Sequence, residues 1–294
     1  MQTGELISVV IPAYNRERSI ARAISAVLAQ TYPNIEIVVV DDASTDGTAA
    51  TVAAIGHPKV RLVRHDRNRG AAAARNTGVA EAKGAFVAFQ DSDDDWLPEK
   101  LARQAAHLAG LEPDYVATFC TKIDYGCDAN RNYGPRLVCC MPDPREDIRS
   151  GDLHQRLLRG NIIGPQTVLI ERAAFLAAGG MDEKLRNNED WDFFIRLSER
   201  GKIGFLDDPL ALVLISEDGI SRKNRASAAS FVRVYGKIRR KTGDRELLSY
   251  LASQTSTKLR HIGRPRAART YLRRALALRP LEPKLYAKYL RTYV

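Results

Sequence analysis

The chain has 294 residues, 45% of them apolar and 27% charged, enough for one large domain or one domain with an appendage. No apolar run approaches the ~20 residues that a bilayer span needs. The start, Met1-Gln2-Thr3-Gly4-Glu5, leads straight into the apolar Leu6 to Ile11 without the basic and longer apolar regions of a secretion signal, so a cytoplasmic protein is expected. The net charge of +10 is uneven: residues 222–294 hold 20 Lys/Arg against 3 Asp/Glu, and the remainder holds 25 against 32. A mildly acidic body therefore carries a basic tail, which suits an anionic membrane surface or a solvated helix face, while no recognition motif accompanies it that would mark nucleic acid. Cys120, Cys127, Cys139 and Cys140 show no C-x-x-C spacing, and reduced structural thiols are expected ahead of a zinc site.

Along the chain, short apolar runs alternate with helical patterns. Leu6–Ile11, Ile35–Val40, Val60–Val63, Ala85–Phe89 and Tyr115–Phe119 read as buried strands. Between them Ile20, Ala23, Ile24, Val27 and Leu28 recur at helical spacing, and Ala71–Ala82 is helical by propensity. The alternation predicts an α/β layer with a mixed, mostly parallel sheet flanked by helices, in which ligands bind beyond the carboxyl ends of the strands. Residues 120–150, with Gly126, Gly134, Pro135, Pro142 and Pro144, are expected to be irregular. Mixed structure returns over 152–221, where Gly179-Gly180 ends a helix, Trp191–Arg200 is helical and Leu210–Ile215 is a strand. Beyond about 226 only helices are predicted, at Phe231–Lys241, Glu246–His261, Arg266–Leu278 and Lys284–Tyr293. The division expected is a domain over 1–222 and a basic helical C-terminal extension over 223–294.

The polar residues after each strand carry the chemistry. Strand one ends in Pro12-Ala13-Tyr14-Asn15, where Tyr14 offers a face for a base to stack on and Asn15 can cap the helix near Glu17. Strand two ends in Asp41-Asp42-Ala43-Ser44-Thr45-Asp46, with Asp42 able to accept a base N–H and Ser44, or Thr45, with Asp46 suited to cap a helix. After strand three, Gly70 permits close backbone approach at a helix start, and Arg69 or Arg75 can face phosphate. After strand four come Gln90-Asp91-Ser92-Asp93-Asp94-Asp95, a crowd of like charges that a divalent cation would relieve. Here Asp91-x-Asp93 suits a metal bridging a diphosphate, and Asp94 or Asp95 suits the cap of a helix at Pro98–Leu108. Further on, Asn187-Asn188-Glu189-Asp190-Trp191-Asp192 places acids at a helix start, either as caps or as a general base, with Asp190 first and Asp192 second.

Val9-Val10-Ile11-Pro12-Ala13-Tyr14-Asn15, Val40-Asp41-Asp42-Ala43-Ser44-Thr45-Asp46-Gly47-Thr48, Ala74-Arg75-Asn76-Thr77-Gly78 and Gln90-Asp91-Ser92-Asp93-Asp94-Asp95, in that order, resemble the family 2 glycosyltransferases of the GT-A fold. The likeness is dense over 5–110 and thinner over 160–221, through Asn188-Glu189-Asp190-Trp191-Asp192. It implies inverting transfer of a sugar from a nucleotide sugar, with a UDP-sugar expected, to a hydroxyl of a saccharide or lipid-linked acceptor. The nucleotide-sugar half would be 1–110 and the acceptor half 111–222. The donor would be held by Pro12, Ala13, Tyr14, Asn15, Asp42, Gly70, Arg75, Asp91 and Ser92. Asp93 with Asp91 would hold Mn²⁺ or Mg²⁺, and Asp190 would be the base. Two departures stand out: Ser216 occupies the place where many relatives carry a metal-shell His, and Gln90 stands where an apolar residue is usual. Other readings the sequence leaves open are a non-catalytic nucleotide-sugar-binding protein and a membrane or nucleic-acid binder acting through the tail.

Overall fold

A computed structural model describes residues 4–126, 137–143, 145–215 and 225–292. The first half follows the predicted alternation: β1 (Ile7–Ala13), α1 (Ile20–Leu28), β2 (Ile35–Asp41), α2 (Thr48–Ile55), β3 (Val60–Arg64), α3 (Ala71–Glu81) and β4 (Phe86–Phe89). The strands β3, β2, β1 and β4 lie side by side and parallel, with Ile7 opposite both Ile35 and Phe86. The inner strands are near-continuous Val and Ile because helices cover both faces of the sheet. Helix α1 buries Ile20, Ala23, Ile24 and Val27 on one face, and α3 lies so close to β1 that a Cβ on Gly78 would collide with Val10.

Next in the chain come β5 (Asp95–Trp96), α4 (Lys100–Ala109), β6 (Tyr115–Gly126), β7 (Leu137–Met141) and α5 (His154–Arg159). They are followed by β8 (Val168–Glu171), α6 (Arg172–Ala177), α7 (Glu189–Leu197) and β9 (Lys202–Ile215). The sheet continues from β4 through antiparallel β8 to β6, then to β9 parallel with β6, and ends on β5. Residues 120–126 are therefore strand rather than irregular loop, and β7 pairs antiparallel with that far half of β6. The polar residues that disguised it are satisfied by partners distant or beside it: the Thr121 hydroxyl donates to Asp207 (3.0 Å), and Lys122 pairs with Asp124 (2.6 Å). Cys120 is buried and Cys140 partly so, and both thiols are free.

The tail is helical as expected: α8 (Arg225–Lys241), α9 (Arg245–His261), α10 (Pro265–Leu278) and α11 (Pro283–Leu290). Its apolar residues Phe231, Val234, Tyr235, Leu251 and Leu272 share one core with Trp191, Phe193 and Phe194 of the body. The Phe231 ring lies 5.0 Å from that of Trp191. Lys237 of α8 reaches Asp182 (2.7 Å) and Asp192 (2.8 Å), tying the tail to the helix that carries Asp190.

Candidate functional site

The carboxyl ends of β1, β2 and β4 open on a cleft of about 820 Å³, whose other walls come from residues 161–166, 185–190 and the tail. Pro12, Ala13, Tyr14, Asp42, Gly70, Arg75, Asp91, Ser92, Asp93 and Asp190 all line it. Asn15 is not part of its wall. It sits at φ 52°, donates its N–H to Ser44 Oγ (2.9 Å) and accepts from the Thr45 N–H through Oδ1 (2.9 Å). Asn15 and Ser44 thus brace two strand-end loops against each other instead of capping helices. Helix α1 starts only at Ile20, and the cap-like acceptor at α2 is Asp46, whose Oδ1 takes the Thr48 N–H (3.0 Å).

Asp42 is buried, and its carboxylate accepts from the Arg69 N–H (2.8 Å) and the Gly70 N–H (2.7 Å) and meets His65 Nδ1 (2.7 Å). It seats the turn that launches α3. Gly70 at φ 94° makes that turn possible, and a Cβ there would approach Arg186 Nη1 to 2.7 Å. Arg75 does not stand open toward the cleft as a bare phosphate contact. Its Nη2 pairs with Asp91 (2.7 Å) and its Nη1 with Glu189 (3.1 Å), joining the two halves of the site. Burial opposes its charge, but the two carboxylates outweigh that and hold its pKa above the ordinary arginine value.

The acidic loop divides by environment. Asp93 is partly exposed, 3.6 Å from Arg16, and burial followed by the neighbouring Asp91 raises its pKa. Asp94 is buried, accepts from the Leu214 N–H (3.3 Å) and is pushed up to about 9 by burial, then by Asp91 and Asp93. Asp95 lies in β5 opposite Leu212 and pairs with Arg22 (3.4 Å). Contrary to the expectation from the sequence, neither caps α4, because β5 intervenes and the helix begins at Lys100 behind Glu99. Gln90 is fully buried, and its Nε2 donates to the Asp94 carbonyl (2.6 Å), so the departure at this position braces the acidic loop from beneath.

Across the cleft, Asp190 accepts from Asn161 Nδ2 (2.8 Å) and from the Trp191 N–H (2.7 Å). Burial, then the adjacent Glu189, pushes it up to about 7. Asp192, the second choice for a base, is buried away from the cleft wall between Lys237 and Arg196 (3.0 Å). Ser216 lies outside the described residues. Among the described residues no group of three or more His, Cys, Asp or Glu side chains is arranged to hold a metal. Asp91 and Asp93 nonetheless supply hard oxygen donors, and the repulsion by which Asp91 raises the pKa of Asp93 is one that a Mg²⁺ or Mn²⁺ ion would offset, so the pair fits that group.

Sequence reasoning missed Asn161, Gln166 and Arg186, and from the tail Ser227 and Lys258, all of which line the cleft. Only Arg16, next to the first motif, had a local signal. Lys258 stands 5.0 Å from the Phe231 ring, a placement that depends on how α9 folds back on α8.

The family model described as Glycosyl transferase family 2 matches residues 8–166. The E. coli protein described as UDP-Glc:alpha-D-GlcNAc-diphosphoundecaprenol beta-1,3-glucosyltransferase WfgD is 44% identical over 103 residues, 35% of this chain and 41% of that protein. This chain spans less than two thirds of the length of the first curated relatives it matches. Among solved structures, S. aureus TarS 1-349 in complex with UDP superposes with a TM-score of 0.68 at 21% identity, over 98% of this chain and 88% of that one. The mannosyltransferase PcManGT from Pyrobaculum calidifontis, in complex with GDP-Man and Mn²⁺, gives 0.63 at 23% identity, over 97% and 78%. These likenesses show the GT-A fold.

Proposed function

The chain belongs to glycosyl transferase family 2, and on that premise we propose that it is an inverting transferase acting on a nucleotide-diphosphate sugar. The observation that carries this reading is the cleft that gathers Asp42, Asp91 and Asp93 on one side and Asp190 on the other, with Arg75 bridging between. Tyr14 and Asp42 would hold the base, and the Asp91–Asp93 side the diphosphate. Asp91 and Asp93 would hold Mn²⁺ or Mg²⁺, which when bound supplies positive charge to the diphosphate. Asp190 would take the proton from the acceptor hydroxyl. The acceptor oxygen then bonds to the anomeric carbon as its bond to the diphosphate breaks, and the nucleoside diphosphate departs. Asn161 orients Asp190 for this role, and a carboxyl held near 7 accepts a proton more readily than an ordinary aspartate.

A UDP-sugar donor and a lipid-linked saccharide acceptor are the substrates we propose, in cell-surface polysaccharide or glycoconjugate synthesis, by analogy with the activity that the name of WfgD describes. No helix of the described residues is long and apolar enough to cross a membrane. The tail supports peripheral contact with an anionic bilayer instead: Leu281, Tyr286 and Leu290 are exposed at 93%, 49% and 67%, amid a strongly basic segment that includes Lys284 and Arg291. The test is transfer from a panel of nucleotide sugars with Mn²⁺. Wild-type protein transfers or slowly hydrolyses one donor, while Asp93→Ala and Asp190→Asn fold normally and do neither. Wild-type activity in Asp190→Asn removes that residue from the base role.

A further inference from the structure

The segment 161–166 joins the two halves of the cleft. At one end the Asn161 side chain holds Asp190. At the other, within the 3₁₀ turn Pro165–Thr167, the Gln166 carbonyl accepts from Trp96 Nε1 (2.9 Å), one residue beyond the acidic loop. Whatever bond is made between the base and the diphosphate side must form alongside this segment.

Gln166 is only 5% exposed, and it lines the cleft. Its Oε1 is buried without a hydrogen-bond partner, and among the described residues its carboxamide makes no hydrogen bond at all. Buried amides in folded proteins are nearly always paired, so one left unpaired on the wall of a cleft points to a partner that the chain does not supply. The neighbouring backbone leaves room for the group. Gly164 has an ordinary φ of −83°, yet a Cβ there would come within 2.7 Å of Gln166 Oε1. The carboxamide therefore packs directly against Gly164, where a methyl group would push it aside.

We propose that Gln166 is a specificity residue whose carboxamide hydrogen-bonds ring hydroxyls of the sugar in the transfer site. A carboxamide offers one acceptor and one donor side by side, whichever way it is turned, and so matches two neighbouring hydroxyls, each of which can donate and accept. A diphosphate, which only accepts, would use the NH₂ group and leave the amide oxygen unpaired, and the nucleotide base is expected at the ends of β1 and β2. The inference rests on the transferase reading and deepens it. The hydroxyls belong to the transferred sugar or to the acceptor sugar, and the two are separable by experiment.

The test uses the full chain with Gln166→Met and, as a second variant, Gly164→Ala, which displaces the carboxamide without removing it. Thermal unfolding is measured without ligand, with UDP, and with the UDP-sugar that stabilises wild type most. Transfer rates are measured with deoxy analogues of donor and of acceptor. Gln166→Met is expected to unfold at the wild-type temperature or above without ligand, because an unpaired buried amide is removed. If the ring is the donor's, the extra stabilisation that the UDP-sugar gives over UDP shrinks in both variants, and if it is the acceptor's it does not. Discrimination against the deoxy analogue falls by at least about tenfold, since a site built to bond a hydroxyl rejects the analogue lacking it. If the loss appears with deoxy donors the ring is the donor's, and if with deoxy acceptors it is the acceptor's. A lowered unfolding temperature with discrimination intact shows Gln166 to be held by the protein and overturns the proposal. If neither UDP nor any UDP-sugar stabilises wild type, the UDP-sugar assignment fails on its own, and a lowered unliganded unfolding temperature in Gln166→Met still counts against Gln166 as a ligand for hydroxyls.

Discussion

Replacing Arg75 by methionine tests the link on which the site depends. The side chain is 6% exposed and is shared between Asp91 at 2.7 Å and Glu189 at 3.1 Å, themselves 27% and 14% exposed. Methionine matches most of its length but leaves two carboxylates facing each other with no cation between them. Removing one member of a buried ionic cluster costs about 3–5 kcal/mol. The lower end applies because Asp91 keeps some access to water, so about 3 kcal/mol is expected. For 294 residues the unfolding entropy is about 0.6 kcal/mol/K, and the unfolding temperature should fall by about 5 °C. The assay is calorimetric or fluorescence-monitored unfolding of wild type, Arg75→Met, Glu189→Gln and the double variant. If the loss is electrostatic, Glu189→Gln partly restores the Arg75→Met protein and the two changes are not additive. A drop of less than about 1 °C, or additive losses, refutes the reasoning and makes Arg75 a packing residue.

Asp190 must be ionised to accept a proton, so its raised pKa predicts transfer that is lost as pH falls through about 7, read from the rate at saturating donor. Asp190→Asn should lower the rate by about 10²–10⁴-fold with unchanged circular dichroism. Burial works to raise the pKa of Asp182, but its bond to Lys237 outweighs that and lowers it. A depressed carboxylate stabilises above its unfolded value, near ~4, and that contribution is lost as pH falls through the lower folded value. The stability gap between wild type and Lys237→Met should therefore hold at neutral pH and narrow in acid, as followed by denaturant unfolding; a gap that stays constant contradicts the ion-pair account. Leu281→Asp with Leu290→Asp should reduce co-sedimentation with vesicles containing phosphatidylglycerol while leaving the unfolding temperature unchanged. Equal binding by both proteins ends the membrane proposal. Deleting residues 225–294 is a poor substitute, because it would strip Phe231 from Trp191 and is expected to give insoluble protein.

What could be read in the chain by itself is set by local chemistry. Apolar runs such as Val9-Val10-Ile11 in β1 and Val38-Val39-Val40 in β2 read as strands because their side chains demand burial on both faces, and the residues that follow them fall at the strand ends. That alone brought Tyr14, Asp42 and the Asp91–Asp93 pair to one edge of a parallel sheet, and the tail helices were equally plain from their periodicity. Tertiary structure decided what those residues hold and which of them share a wall. Asn15 and Ser44 look like caps, but they bond each other across 29 residues. Asp94, Asp95 and Asp192 look alike in sequence, yet one is buried under Leu214, one is paired with Arg22 and one with Lys237. The wall facing the strand ends was invisible because Asn161, Gln166, Arg186 and Lys258 have no common motif. They meet only because β8 inserts antiparallel beside β4 and α8 and α9 fold back over Trp191. A carboxylate's charge is written in its sequence, whereas its proton affinity and its partner depend on which distant groups exclude water from it.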